Sequence, residues 1–409
     1  MLDIKFIREN AKLVEEKSKQ KGHDISVEKL LKVEEQRRKL IEEVDRLRTQ
    51  RKAAAGKRDE KEGSKIKLEL KKKEGELEHI NEEFYTLIRE IPNVPKDDVP
   101  IGTNEQDNKI IRKVGKLPKF DFKPKDHVDL GSALDLIDIE RASKISGSRF
   151  GFLKNELVAL EFALVNIAFE TLTKEGFSPL IPPALINRKI VEGLGYPEYL
   201  TGEGYKVDDQ FLIGTAEHSV VSMHMDETFS EKDLPKRYVG FSTCFRREAG
   251  SYGKDTRGIF RVHQFDKVEM VSFVSEKDDD KEHEFLLSHE EKLFQMLQIP
   301  YQVVKMCTAD LGFPVARKYD LEAWIPSQNS YREVTSTSTT TDFQARRLNI
   351  KQKVGKNTQY VHILNATAFA IGRTIIAIME NYQQKDGSIA IPKILQKYTG
   401  FSKIPSSEI

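Results

Sequence analysis

The chain has 409 residues, and its 66 lysines and arginines nearly balance its 65 aspartates and glutamates, giving a formal net charge of +1. This balance excludes a uniformly basic protein, so any contact with a polyanion must come from a local patch. Only Cys244 and Cys307 are present, which excludes a disulfide scaffold and a multi-cysteine zinc site. The charged N-terminus and the lack of an apolar stretch approaching ~20 residues lead us to expect a soluble cytoplasmic protein with no membrane contact.

Residues 27–91 carry a heptad pattern that is interrupted once. Its apolar positions are Leu30, Val33, Leu40, Val44, Leu47 and Ala54 in a first helix and Ile66, Leu70, Leu77, Ile80, Phe84, Leu87 and Ile91 in a second. Residues 55–64 contain two glycines and a charge cluster, which predict a break between the helices. Two heptad helices joined by a short break predict an antiparallel coiled-coil hairpin.

The tip of this hairpin is basic. Residues 46–73 hold 12 lysines and arginines against 4 acidic residues, a local net charge of +8. One interpretation is a solvated coiled-coil face, and the other is a surface for a polyanion. The segment has no aromatic residue, so a polyanion would be read through its phosphate backbone and shape.

Residues 92–127 contain five prolines and read as a linker, and the composition becomes globular from about Gly131. Apolar periodicity predicts helices over 155–172 and 373–382. Predicted strands cover 178–181, 210–213, 238–245, 258–264, 267–273, 301–306, 318–325, 331–338 and 361–365. Consecutive strands with few helices between them favour an antiparallel sheet, so the fold class is α+β.

The residues between Phe245 and Glu269 combine arginines, aromatic rings and carboxylates, and Gly372-Arg373 opens a helical run further along the chain. Arginine suits phosphate because its planar fork donates two hydrogen bonds at once and keeps its charge. An aromatic ring can stack on a base, and a carboxylate can hold an ammonium or hydroxyl group. The combination predicts a pocket for ATP and a small amino acid. Each residue alone could be a salt-bridging arginine or a core aromatic; the joint spacing favours the pocket.

These residues resemble those of the seryl-tRNA synthetases, a family of class II aminoacyl-tRNA synthetases, over nearly the whole chain. The matching segments are Gly176-Phe177 to Pro182-Pro183 (motif 1, the dimer element), Phe245-Arg246 to Glu269 (motif 2), Asn365-Ala366-Thr367 to Gly372-Arg373-Thr374 followed by Glu380 to Gln383 (motif 3), Thr215-Ala216-Glu217 (the serine loop) and Tyr331 to Ser336 with Asp342 to Arg347 (the metal and ATP segment). Arg247 stands where the family has a small residue, and Asn365-Ala366-Thr367-Ala368 is closer to eukaryotic and archaeal members than to bacterial ones.

The resemblance implies a role for each site residue. Arg246, Glu248 and Arg373 would be catalytic, and Glu333 with Ser336 would bind Mg²⁺. The ATP site would comprise Arg246, Arg247, Glu248, Arg261, Phe265, Glu333, Val334, Thr335, Ser336 and Arg373. The serine site would comprise Thr215, Ala216, Glu217, Arg246, Glu269 and Thr367. Phe265 and Arg373 would lie on opposite sides of the adenine, and Glu248 would read its amino group.

The resemblance also implies an organisation and an activity. Residues 1–112 would form a helical tRNA-binding arm, a long antiparallel coiled coil, and residues 113–409 the class II catalytic domain. The expected enzyme is a homodimeric serine–tRNA ligase that uses ATP and Mg²⁺ to charge tRNA(Ser), with tRNA(Sec) a further candidate. Two alternatives stay open: a paralogue that charges a carrier protein, and a coiled-coil RNA-binding scaffold with an inactive core.

Overall fold

The computed structural model describes residues 1–56, 60–249, 255 and 257–405. The chain divides into two compact units, Met1–Val94 and Pro95–Ile409. This division precedes the boundary predicted between residues 112 and 113. The difference arises because the strand Lys109–Val114 pairs with the strand Tyr301–Lys305 and so belongs to the second unit.

The first unit is helical throughout its regular structure. Its helices are α1 (Ile4–Glu9), α2 (Ala11–Gln20), α3 (Val27–Gly56) and α4 (Glu60–Arg89). Helices α3 and α4 are antiparallel, since Arg37 Nε donates to Asn81 Oδ1 at 2.6 Å and Arg48 Nη2 to Glu74 Oε1 at 2.8 Å. Their seam buries an apolar cluster: Val44, Leu47, Ala54, Ile66 and Leu70.

Helix occupies most of the segment that was predicted to separate the two long helices, since α3 includes Gly56. Residues 55–64 were expected to interrupt the helices, but α4 already begins at Glu60 and includes Gly63. A helical glycine costs only ~1 kcal/mol relative to alanine, which the good helix formers around it offset. Residues 57–59 of the predicted break and of the basic tip lie outside the described residues.

The second unit is built on an eight-stranded sheet. Its strands are β1 (Lys109–Val114), β2 (Ser178–Leu180), β3 (Lys236–Phe245), β4 (Gln264–Val274), β5 (Tyr301–Lys305), β6 (Arg317–Ile325), β7 (Ser330–Thr339) and β8 (His362–Ala370). They lie in the order β1-β5-β6-β7-β8-β4-β3-β2, and every pair is antiparallel except β2 with β3. The predicted α+β class, with an antiparallel hairpin and an antiparallel sheet core, is confirmed.

Helices surround this sheet. They are α5 (His127–Ala133), α6 (Ile139–Ser146), α7 (Glu156–Thr173), α8 (Arg188–Leu194), α9 (Ala216–Ser222), α10 (Asp279–Leu297), α11 (Phe343–Leu348), α12 (Ile371–Asn381) and α13 (Gln396–Thr399). Helices α7, α10 and α12 share one apolar core with the sheet. Short strands pair outside it: Leu185–Asn187, Lys206–Val207 and Gln210–Leu212; Thr228–Phe229, Lys351–Val354 and Asn357–Tyr360; Ile137–Asp138 with Phe152–Leu153; and Ile389–Ala390 with Lys403–Ile404.

One predicted strand is wrong. The structure places Gly258 to His263 in turns that lead into β4 at Gln264. Gly258 has a φ of +75°, which a strand does not allow, and a Cβ there would meet the His127 ring. The apolar residues that suggested a strand, Ile259, Phe260 and Val262, are instead buried in the main core. Within the described residues, none of the helices is long and apolar enough to cross a membrane.

Candidate active site

A cavity of about 490 Å³ opens beside β4, β7, β8 and the start of α12. It brings together residues that are up to 170 positions apart in the chain, since both Glu203 and Arg373 line it. The lining comprises Glu203, Arg246, Glu248, Ile259, Phe260, Arg261, Val262, Phe265, Lys267, Lys318, Glu333, Val334, Thr335, Ser336, Thr367, Ala370, Gly372 and Arg373.

Arg246 follows the last residue of β3 and turns into this cavity. Its Nε donates to the carbonyl of Gly214 at 3.1 Å, and its guanidinium carbon lies 5.5 Å from the centre of the Phe265 ring. Its backbone is held by His263, because Arg246 N donates to His263 O at 2.9 Å. These contacts fix a permanent cation next to a flat ring, an arrangement suited to a nucleotide phosphate and base.

Arg373 lies in the first turn of α12, on another side of the cavity. It donates through Nη1 to the Glu333 carboxylate at 3.0 Å, and its guanidinium carbon lies 4.9 Å from the centre of the Phe260 ring. Partial desolvation raises the pKa of Glu333, but the charges of Arg373 and Lys318 outweigh it and lower that pKa to about 2. Glu333 is therefore ionised at neutral pH.

Arg261 and Glu248 form a third charged pair in the lining. Arg261 Nη1 donates to Glu248 Oε2 at 2.6 Å. Glu248 has a φ of +52°, a left-handed backbone conformation that non-glycine residues adopt at a cost of roughly 1–3 kcal/mol. Such a conformation persists only where surrounding contacts hold it, so the position of this carboxylate is specified by its neighbours.

A buried acidic corner adjoins the charged pairs. Glu269 is 2% exposed and accepts from the Thr367 hydroxyl at 3.0 Å, and its carboxylate lies 2.7 Å from the Lys267 ammonium. Strand pairing brings Glu269 and Thr367 together, because Glu269 on β4 is the register partner of Thr367 on β8. A paired, nearly solvent-free carboxylate can bind a small ligand that carries its own donors.

The predicted serine loop lies at the start of α9 and is buried. Thr215 caps the helix by accepting from Glu217 N at 3.3 Å. Glu217 accepts from the Tyr196 hydroxyl at 2.8 Å and from Gln344 Nε2 at 3.0 Å. Burial raises the pKa of Glu217, the hydrogen bond from Gln344 opposes that shift, and the charge of Glu269 adds to it. The two carboxylates therefore belong to one electrostatic environment.

Most of the predicted residues converge on the cavity, but some do not line it. Those in the lining are Arg246, Glu248, Arg261, Phe265, Glu333, Val334, Thr335, Ser336, Thr367 and Arg373. Glu269 lies behind it, bonded to Thr367, and Thr215, Ala216 and Glu217 are buried at α9. Arg247 is exposed and points elsewhere: its Nε donates to Gly204 O at 3.2 Å.

Eight lining residues lie outside the predicted set: Glu203, Ile259, Phe260, Val262, Lys267, Lys318, Ala370 and Gly372. Lys267 could have been found, because it lies between Phe265 and Glu269 in the alternation of a strand, and residues two apart share a face. Lys318 offers a weaker signal of the same kind, two residues before Asp320, to which it is ion-paired at 3.0 Å. Glu203 carried no signal, since it ends a π-helical turn, Tyr199–Glu203, that belongs to none of the predicted motifs.

Glu333 and Ser336, the residues predicted to bind Mg²⁺, suit its coordination chemistry. Glu333 and Ser336 both lie on β7 and both line the cavity, so they offer an ionised carboxylate and a hydroxyl to the same space. Within the described residues, no group of three or more histidines, cysteines or carboxylates could hold a metal. Two hard oxygen ligands fit Mg²⁺, which usually keeps several waters and shares substrate phosphates.

Two family models match the chain. The tRNA synthetase class II core domain (G, H, P, S and T) matches residues 203–382, which include most of the cavity lining and the sheet strands that carry it. This match defines the class of the second unit as a class II aminoacyl-tRNA synthetase core. The seryl-tRNA synthetase N-terminal domain matches residues 1–95, which is the first compact unit within one residue.

Full-length relatives agree with both models. The serine--tRNA ligase of Dictyoglomus turgidum is 45% identical over 99% of both chains, and that of Listeria welshimeri is 43% identical over 98% of both. A crystal structure of seryl-tRNA synthetase from Pyrococcus horikoshii complexed with ATP has a TM-score of 0.92 at 42% identity, covering 99% of both chains. The chain belongs to the seryl-tRNA synthetase family.

Proposed function

We propose that this chain is a serine–tRNA ligase. It activates L-serine with ATP, forming seryl-adenylate and pyrophosphate, and transfers the seryl group to the 3′ end of tRNA(Ser). The observation that carries this proposal is the convergence of Arg246, Arg261 and Arg373 on one cavity, next to the Glu269–Thr367 pair. Its family relatives carry the same name, and a homologous structure was solved with ATP.

The arginines act on the triphosphate. Serine activation requires attack of a carboxylate on the α-phosphorus with pyrophosphate leaving, so the protein must position two anions and neutralise their charge. Arg246 grips the α-phosphate, and Arg261 holds the γ-phosphate end. Phe265 stacks under the adenine with Arg373 on its other side, while Glu248 accepts from the adenine amino group. Before ATP binds, Glu248 holds Arg261 in place and Glu333 holds Arg373 in place. The γ-phosphate would then compete with Glu248 for Arg261, whereas stacking of Arg373 on the adenine leaves its pair with Glu333 intact.

Magnesium would be held by Glu333 and Ser336 together with the phosphates. The ion, when bound, supplies charge neutralisation at the triphosphate. Arg373 contributes independently of it, because its ion pair at 3.0 Å keeps the Glu333 carboxylate ionised and oriented.

The acidic corner selects serine by its hydroxyl and ammonium groups. The pocket comprises Thr215, Ala216, Glu217, Arg246, Glu269 and Thr367, with Arg246 reaching the serine carboxylate. A substrate without the hydroxyl, such as alanine, would leave a buried acceptor unpaired, and sites of this kind can discriminate by about 10⁴–10⁵. Threonine would be excluded by shape, because its extra methyl group must pass the packed Thr367 side chain, which is 5% exposed.

The helical unit is the tRNA handle. Residues 46–73 carry a net charge of +8 on a chain of net charge +1, and their lysines and arginines suit a phosphate backbone. The resemblance implied an arm over residues 1–112 and a catalytic domain over 113–409; since the strand Lys109–Val114 belongs to the second unit, we assign tRNA binding to Met1–Val94 and catalysis to Pro95–Ile409. The same arm could receive tRNA(Sec), since phosphate and shape recognition does not depend on the anticodon.

A homodimer in the cytoplasm is the proposed working form. Apolar side chains of motif 1 and its surroundings are exposed, with Val158 at 42%, Phe162 at 56% and Ile181 at 78%. Val158 and Phe162 are four residues apart on α7 and so lie on one face of that helix, and exposed apolar side chains grouped in this way are typical of a protein interface.

Transfer of radiolabelled serine to tRNA tests this function. The wild-type protein with ATP and Mg²⁺ should accumulate acid-precipitable seryl-tRNA from a mixed tRNA pool, and a single-isoacceptor assay then separates tRNA(Ser) from tRNA(Sec). Activation of serine with no transfer to any tRNA would refute the ligase and favour a carrier-charging paralogue. Absence of both activation and transfer would favour an inactive scaffold.

A further inference from the structure

Arg247 carries an unusual set of contacts for a residue between two site residues. It lies between Arg246 and Glu248, which both line the cavity, yet its own side chain leaves the cavity and packs on the segment Tyr199–Tyr205. Its N–H donates to Glu203 O at 2.9 Å and its Nε to Gly204 O at 3.2 Å. Its guanidinium carbon lies 4.6 Å from the centre of the Tyr205 ring.

The same segment also holds the residue on the other side of Glu248. Glu203 Oε1 accepts from Ala249 N at 2.9 Å. Glu248 is thus flanked by two residues that are both bonded to Glu203, one through its carbonyl and one through its carboxylate. These bonds restrain the backbone on both sides of Glu248. Its φ of +52° is a conformation that a non-glycine residue keeps only when neighbouring contacts hold it.

The segment Tyr199–Tyr205 is itself anchored. It begins with a π-helical turn, Tyr199–Glu203, and the Tyr199 hydroxyl lies 2.5 Å from Leu212 O and 3.1 Å from Phe245 O. Gly204 N donates to Tyr199 O at 3.0 Å, and Leu212 N to Tyr205 O at 2.9 Å. A Cβ on Gly204 would approach Tyr199 O to 2.5 Å, so this close turn requires glycine.

We propose that Arg247 is a positioning residue, which, with the segment Tyr199–Tyr205, sets the backbone of Glu248 and so the ability of the site to recognise adenine. This inference rests on the proposed function for the role of Glu248. It reassigns Arg247 from ATP ligand to support, and it gives the segment Tyr199–Tyr205, including Glu203, a part in nucleotide specificity. Arg149 adds a third support, since its Nη1 donates to Glu248 O at 3.3 Å.

Arg247→Ala tests the proposal in the full-length protein. The dissociation constant for ATP, measured by calorimetry without serine, should rise about 5- to 10-fold, because one hydrogen bond and one exposed cation–π contact are lost. The KM for serine in pyrophosphate exchange should stay within about twofold, and the preference for ATP over GTP should fall. Arg247→Lys keeps the charge over Tyr205 but loses the Nε donor. Its dissociation constant for ATP should therefore lie between those of the wild type and Arg247→Ala. Arg188→Ala, an exposed arginine paired with Glu192, is the matched control.

A second experiment distinguishes a positioning role of Arg247 from direct contact with ATP. Tyr205→Leu should weaken ATP binding like Arg247→Ala, and the double variant should be no worse than either alone, because both act through Glu248. Additive losses would overturn the proposal, as would an ATP dissociation constant within twofold of wild type in Arg247→Ala or an equal loss for ATP and serine. If the wild-type protein showed no serine-dependent exchange, the proposed function would be wrong. The ATP dissociation constants of wild type and Arg247→Ala would still test whether Arg247 positions Glu248.

Discussion

At the scale of single residues, the site depends on charges that are paired before any substrate arrives. Arg373 with Glu333 and Arg261 with Glu248 lie at 3.0 Å and 2.6 Å. Pre-formed pairs hold each guanidinium in a single orientation, which lowers the entropy lost on binding a phosphate. The pair with Arg373 also holds the pKa of the Glu333 carboxyl group well below its usual range.

Arg373→Ala should reduce serine-dependent pyrophosphate exchange by about 10²–10³-fold, because it removes both the cation that stacks on the adenine and the charged hydrogen bond that orients Glu333. The far-ultraviolet circular dichroism and the oligomeric state should be unchanged. Arg141→Ala, whose side chain is 78% exposed, serves as the control. Exchange kinetics equal to wild type would refute the assignment of Arg373.

Glu269→Gln should raise the KM for serine by about 10- to 100-fold, because it removes a buried charge that pairs with Lys267 and accepts from Thr367. The KM for ATP should change much less. Thr367→Ser, which keeps the hydroxyl donor to Glu269, is the matched variant and should retain most of the activity. If Glu269→Gln raised the KM for serine and the KM for ATP equally, Glu269 would not belong to the serine pocket.

His218 predicts a loss of stability in acid. Burial, followed by the charges of Arg246 and Lys267, lowers its pKa to about 3, whereas an unfolded histidine has a pKa near ~6.5. The unfolded state therefore binds the proton more readily, and stability present above pH ~6.5 is lost as the pH falls, by about 2 kcal/mol at pH 5. Denaturant midpoints at pH 5 and 7.5 should differ less in His218→Gln than in wild type or in the exposed-histidine control His79→Gln. Equal pH dependence in all three would contradict this.

At the scale of elements, strand pairing decides which side chains meet. Glu269 and Thr367 are 98 residues apart in sequence and become neighbours through the β4–β8 register. Register follows the pleat, so residues two apart, such as Phe265, Lys267 and Glu269, reach the same side of β4. Helix α12 then adds Arg373 in its first turn.

The sequence predicted helices and strands well where the apolar periodicity was strong. It predicted them poorly where the conformation of a loop determines the structure. The long helices and most sheet strands were predicted within a few residues, because apolar spacing reflects burial directly. The strand expected at 258–264 was wrong because the positive φ at Gly258 and the burial of the following apolar residues in the main core are tertiary effects. Arg247 was predicted to bind ATP because it lies between two site residues, but adjacency in sequence does not say which way a side chain turns. Glu203 was missed because the π-helical turn that it ends matches no predicted motif.

Removal of the hairpin, residues 28–90, should leave serine-dependent pyrophosphate exchange within about twofold of wild type and abolish transfer to tRNA. The reason is that the cavity is built wholly from residues of the second unit, whereas the +8 patch lies in the hairpin. Replacing four lysines of residues 65–73 by glutamine in the full chain provides a milder variant, which should weaken tRNA binding and reduce its salt dependence. Undiminished charging by the deletion variant would remove the arm from tRNA recognition.

At the scale of the whole molecule, the second unit presents apolar side chains that a single copy leaves exposed. Phe162 on α7 and Ile181 after β2 are 56% and 78% exposed, although α7 is otherwise part of the main core. Phe162→Glu should convert the proposed dimer to a monomer, since burying an unpaired charge at an interface costs several kcal/mol. Light scattering after size-exclusion chromatography measures this, with Val207→Glu, an exposed apolar residue elsewhere on the unit, as the control. A monomeric wild-type protein would contradict the dimer.

The central claim is that cationic side chains from separate elements converge on one cavity beside a carboxylate that senses a hydroxyl group. Pyrophosphate exchange with each of the twenty amino acids in turn tests it most directly, because the assay reads ATP binding, amino-acid choice and adenylate chemistry together. The structure predicts strong exchange with serine, with alanine and glycine lower by at least about 10³-fold and threonine also rejected. Exchange that is absent with serine, or equal for serine and alanine, would contradict the account.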